Sequence, residues 1–183
     1  MKPLFILFVA FTMFCSLFGC QQLLSGANSE KIAATTIYVV RHGEKDTSDP
    51  TNKDPELNED GKARAEELRT VLKDKPVDLL YSTNYKRTMG TLKPLSEERR
   101  VDVLMYEPDN FETLKNQVLQ QHKGKTVVIA GHSNTILEIV EAFGIERPFA
   151  EVPDSKYDHL FKITIAADNT ATLEIGKYGK ETI

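Results

Sequence analysis

Hydrophobic and polar positions along the chain fall into short apolar runs that alternate with longer stretches of helical period. The run "TIYVV", Thr36 to Val40, is followed by a polar loop from Glu44 to Glu56. In "LNEDGKARAEELRTVLKD", Ala65, Leu68 and Leu72 recur at helical spacing, Asn58 suits an N-cap, and Glu59 and Asp60 suit the positive end of the helix dipole. Pro76 stops that helix. The pattern then predicts a strand in "VDLLYS", a helix in "NYKRTMGTLKPL", a strand in "VDVLMY", and a helix in "DNFETLKNQVLQQH" capped near Asp109 or Asn110. "KTVVIAG" is continuously apolar, as in a strand buried on both faces of a parallel sheet. "SNTILEIVEAFG" predicts a helix starting at Ser133, with Gly144 just past its end. "HLFKITIA" and "ATLEIGKY" alternate like the arms of a hairpin turning at Asp168-Asn169. Strands alternating with helices predict an α/β fold of three layers. Its central sheet is mostly parallel, flanked by helices, and ends in an antiparallel hairpin.

The first twenty residues, "MKPLFILFVAFTMFCSLFGC", carry one charge, Lys2, ahead of the apolar run Leu4 to Phe18. This is the pattern of a secretory signal, and the run is short for a membrane span. Its end, "LFGC", resembles the lipobox of bacterial lipoproteins. That resemblance implies cleavage before Cys20 and a lipid on Cys20. The expected organisation is a signal peptide over 1–19, the lipidated cysteine and a flexible tether over 20–34, and one catalytic domain over 35–183. The expected location is the extracytoplasmic side of the bacterial envelope, with the lipid as membrane anchor. Cys15 and Cys20 are the chain's two cysteines, so the domain itself has no thiol and no disulfide. It is stabilised by its core, for which its length suffices.

Composition adds exclusions. A formal net charge of -4 argues against a nucleic-acid partner, whose footprint is basic. It leaves room for a local basic pocket.

Ligands of open α/β sheets bind outside the carboxyl ends of the strands. The first strand delivers Arg41 and His42 there. The second delivers Ser82, with Arg87 in the first turn of the helix that follows. The third delivers Glu107 and Asp109, and the fourth Gly131 and His132 ahead of a helix start at Ser133 and Asn134. Each has a bland reading as a hydrogen-bonded or solvated residue; their joint occurrence at successive strand ends points to a site. Zinc sites favour His, Cys and carboxylates without adjacent cations. Arginines beside the histidines suit a phosphoryl group instead, so no metal and no cofactor are expected. The Gly-rich loop of a nucleotide site, with its Lys-Ser/Thr ending, is missing.

"VVRHGEK", "YSTNYKRTMGTL" and "VVIAGHSNT" resemble the three core motifs of the histidine phosphatase superfamily, in the branch of phosphoglycerate mutases and small phosphohistidine phosphatases. "LNEDGKARAEEL" resembles the helix after that family's catalytic loop. The resemblance implies a phosphomonoester hydrolase in which His42 becomes transiently phosphorylated while Arg41, Arg87 and His132 hold the phosphoryl group. Glu107, with Asp109 behind it, is the expected proton donor to the leaving oxygen. A phosphotransferase or mutase of the same superfamily, and a lipid-tethered protein that binds phosphorylated ligands without turnover, are the alternatives.

Overall fold

The computed structural model describes residues 33–183; the expected signal peptide, the lipobox with Cys20, and most of the tether lie outside them. A six-stranded sheet in the order β3-β2-β4-β1-β5-β6 forms the middle layer. Its strands are β1 (Thr35–Arg41), β2 (Leu79–Ser82), β3 (Val103–Met105), β4 (Thr126–Gly131), β5 (His159–Ile165) and β6 (Ala171–Lys177). β1, β4, β2 and β3 run parallel, while β5 adds antiparallel to β1 and β6 antiparallel to β5. The hairpin turns at Asn169, which adopts φ 67°.

Helices α1 (Glu59–Val71) and α2 (Lys86–Arg99) cover one face, and α3 (Phe111–Asn116) and α4 (Ile136–Ala142) the other. β1 shows why its sequence is continuously apolar from Ile37 to Val40. Ile37 and Val39 pack with Leu114, Ile136 and Ile139, while Tyr38 and Val40 pack with Leu68, Leu72 and Leu92. Burying such a side chain contributes about 2 kcal/mol, so both layers are driven onto the sheet by one strand.

Local signals set several boundaries. The Asn58 side chain accepts from the Gly61 N–H at 2.9 Å and starts α1. The Asn110 side chain accepts from Thr113 N–H and starts α3, which continues as a π-helical turn over Gln117–Gln121. Two expectations shift. α2 runs through Pro94 to Arg99, beyond the expected end at Leu95. Residues 132–135 form a turn in which the His132 carbonyl accepts from the Thr135 and Ile136 N–H groups, so α4 begins at Ile136 rather than Ser133.

The loop after β1 is pinned. A bridge joins Lys45 to Leu57, Asp46 N–H donates to the Glu56 carbonyl, and Pro55 and Leu57 are buried. Gly43 and Gly61 allow this loop to lie on α1: a Cβ on Gly61 would stand 2.2 Å from the Glu44 carbonyl oxygen. Among the described residues, no helix is long and apolar enough to cross a membrane.

Candidate active site

β1 and β4 are neighbours, with Arg41 paired in register to Gly131. The residues that follow each strand, His42 and His132, therefore stand side by side beyond the sheet edge. Their rings are 5.4 Å apart between centroids and inclined at 65°. Both are buried.

His42 Nδ1 lies 2.7 Å from its neighbour's carbonyl, Gly43 O. A carbonyl only accepts, so Nδ1 carries the proton and Nε2 keeps its lone pair. Burial pushes the His42 pKa down to about 3; the Gly43 contact opposes this, and the charge of Arg41, the neighbouring His132 and the charge of Arg87 add to it. His132 is pushed down to about 4 by burial and by Arg87 and Arg41. Near neutral pH both imidazoles are uncharged.

The His132 tautomer follows from a chain of hydroxyls. Thr88 Oγ1 donates toward the carbonyls of Thr83 and Tyr85, leaving its lone pair for the Thr83 hydroxyl at 2.9 Å. Thr83 Oγ1 then accepts from His132 Nε2–H at 2.9 Å. His132 Nδ1 is left as an acceptor, facing Arg87 Nη2 at 3.4 Å. Arg87 lies over the Tyr85 ring, 4.4 Å from its centroid, and Tyr85 meets His132 edge-on. Tyr85, Arg87, Pro108, Asp109, His132, Asn134 and Thr135 line an open cleft of about 390 Å³.

Arg41 is held on the other side by the loop before β5. Its Nη1 donates to the carbonyls of Pro153, Asp154 and Lys156 at 2.9–3.0 Å, and its guanidinium lies 3.9 Å from the Tyr157 ring centroid. Asp154 Oδ1 sits 3.4 Å from Nη2 and also accepts from Ser133 Oγ. Nε is buried without a hydrogen-bond partner among the described residues, so Nε and part of Nη2 are the donors left for an anion.

The structure thus brings together His42, Arg41, His132 and Arg87, and it separates the two acids. β3 is the sheet edge, three strands from β1 and on the order of 14 Å away at ordinary strand spacing. Glu107 lines a separate small pocket with Met105, Tyr106 and Asn110. Asp109 lines the cleft with Arg87 and His132. Ser82, expected to be delivered to the crevice by the second strand, is fully buried and donates to the Thr83 carbonyl. Among the described residues no group of three or more His, Cys, Asp or Glu side chains converges as a metal site.

Several supporting residues escape a reading by motif. Arg64 is buried in α1 and holds Glu44 through Nε and Nη2, while its Nη1 and Nη2 donate to the carbonyls of Tyr178 and Lys180. It falls on the stripe of Gly61, Ala65 and Leu68, so the helical period marks it as inward-facing. Thr83 directly follows a strand end. The Arg41 clamp at 153–157 has no local signal at all.

The family model described as the histidine phosphatase superfamily, branch 1, matches residues 37–108, the segment holding Arg41, His42 and Arg87. No curated protein matches the chain. Solved structures share the fold. YhfR of Bacillus stearothermophilus is 15% identical, with a TM-score of 0.63 over 77% of this chain and 96% of that one. A mycobacterial glucosyl-3-phosphoglycerate phosphatase is 13% identical, with a TM-score of 0.63 over 81% and 100%. The putative phosphohistidine phosphatase SixA of Agrobacterium tumefaciens is 20% identical, with a TM-score of 0.55 over 79% and 97%.

Proposed function

We propose that this chain is a phosphomonoester hydrolase of the histidine phosphatase superfamily, working through a phosphohistidine at His42. The observation that carries the reading is the neutral His42, its Nδ1–H spent on Gly43 O and its Nε2 lone pair free, beside His132 and near enough to Arg41 and Arg87 for their charges to lower its pKa. Nε2 attacks phosphorus in line, an N–P bond forms, and the P–O bond to the leaving group breaks. Arg87 and the free donors of Arg41 hold the equatorial oxygens.

His132 enters with Nδ1 unprotonated. A bound dianion favours the imidazolium, so His132 takes up a proton and becomes a further donor to the phosphoryl group. Asp109, on the cleft wall, is the carboxyl that can protonate the leaving oxygen. Water then gives a proton to the Asp109 carboxylate and attacks phosphorus from the side opposite Nε2; the N–P bond breaks, and His42 is regenerated with release of phosphate.

The test is hydrolysis of p-nitrophenyl phosphate by the purified protein and by His42→Ala. Loss of turnover with retained fold supports the reading; full activity in His42→Ala overturns it. Export and lipidation at Cys20 are proposed from the N-terminal pattern. Metabolic labelling with a fatty acid, lost in Cys20→Ser, is the expected result, and equal labelling of the two would sink it.

A further inference from the structure

α2 starts badly by its own residues. Its N-cap Tyr85 makes no side-chain capping bond, its first turn holds no acid, and it opens with two cations, Lys86 and Arg87, at the positive end of the dipole. A carboxylate from 32 residues upstream corrects this. Asp54 Oδ1 accepts from the Lys86 N–H at 3.0 Å, and the same oxygen lies 3.7 Å from Arg87 Nη1. Asp54 is itself held: its N–H donates to Asn52 Oδ1, and buried Pro55 and Leu57 anchor the chain just behind it.

We propose that Asp54 is the positioning residue for Arg87. This rests on the phosphatase reading, in which Arg87 holds the phosphoryl group. One carboxylate fixes where α2 begins and engages one terminal nitrogen of Arg87. The other terminal nitrogen is left facing His132 at 3.4 Å. A guanidinium is planar, so fixing one nitrogen fixes the direction of the rest. Asp54 approaches Nη1, whereas His132 faces Nη2, and Asp54 is not among the residues lining the cleft. Its action is therefore through Arg87 and not on the substrate.

Asp54→Asn separates the two contacts, because the amide oxygen still accepts from Lys86 N–H while the negative charge facing Arg87 is lost. A double-mutant cycle with Arg87→Ala tests the coupling, read both as kcat/KM for p-nitrophenyl phosphate and as the Kd for inorganic phosphate. Asp54→Asn is expected to melt with the wild type and to lose about tenfold in kcat/KM, less than the ~100-fold that a misplacement of about 1 Å can cost. In the Arg87→Ala background it is expected to lose nothing further.

An equal loss in both backgrounds, or none in the wild type, overturns the proposal. So does tighter phosphate binding in Asp54→Asn, which would show the carboxylate competing with the anion for Arg87. If the wild type turns over no p-nitrophenyl phosphate, the hydrolase reading fails. The phosphate Kd then still decides the inference: weaker binding confined to the background with Arg87 supports it, and any other pattern overturns it.

Discussion

Glu44 and Arg64, twenty residues apart, form a paired contact behind the RHG segment, with Arg64 Nη2 2.7 Å from Glu44 Oε1 and Nε 3.0 Å from Oε2. The Arg64 side chain is 1% exposed and that of Glu44 16%. Burial alone would raise the Glu44 carboxyl; the Arg64 guanidinium outweighs it and holds the group below its usual range. The pair ties the residue after Gly43 to α1, and through the carbonyls of Tyr178 and Lys180 to the segment after β6.

Removing one member of that pair strands a buried charge. Glu44→Ala is expected to cost about 3 kcal/mol in urea unfolding. Lys62→Ala, which breaks the exposed pair with Glu59, is expected to melt with the wild type. Equal effects of the two substitutions would refute the structural role assigned to Glu44.

The approach of α1 to the loop depends on two glycines. A Cβ at Gly61 would meet backbone, at 2.2 Å from Glu44 O and 2.8 Å from Glu44 N, and neither atom can turn away. Gly61→Ala is expected to destabilise by at least about 3 kcal/mol and to displace His42. Gly90→Ala meets only the Leu57 side chain at 3.3 Å and gains helix propensity, so thermal melting should show it near neutral.

Thr83 orients His132 without lining the cleft. Thr83→Val keeps the shape and removes the acceptor of Nε2–H, leaving a buried donor unpaired at a cost of about 1–3 kcal/mol. The expected kinetic result is a fall in kcat of roughly tenfold, with restoration by Thr83→Ser. Unchanged kcat in Thr83→Val would show that the hydroxyl does not set the tautomer.

Stability should fall on the acid side. His42 and His132 titrate near 3 and 4 when folded and near 6.5 when unfolded, so between those values the unfolded chain binds more protons. Their contribution is complete above about pH 6.5 and is lost as pH drops toward 4. Urea unfolding across pH 7 to 4 should show a shallower loss in His42→Asn than in the wild type. Inorganic phosphate should protect most at the acid end, where it pairs with protonated His132. Parallel pH curves for wild type and variant would mean that His42 is not held neutral by the fold.

Much of the architecture is legible in the sequence because it rests on short-range physics. The apolar run ending at Arg41 marks a strand buried on both faces, Asn58 and Asn110 cap helices that start one residue later, and Asn169 marks the hairpin turn. The rule that chemistry gathers at the carboxyl ends of parallel strands is enough to list His42, Arg87 and His132 together. The lateral order of the strands is not legible, because pairing between distant segments leaves no local trace. That order places His132 beside His42 and leaves Glu107 at the far edge. Nor does the sequence show which partners occupy the arginines. Arg41 spends Nη1 on three carbonyls more than 100 residues away, and Arg87 is engaged by Asp54 across a loop that looks merely polar. Residue types and periodicity determine which groups reach the sheet edge. Only the long-range hydrogen bonds of the folded chain decide which of their lone pairs and N–H groups remain free to act.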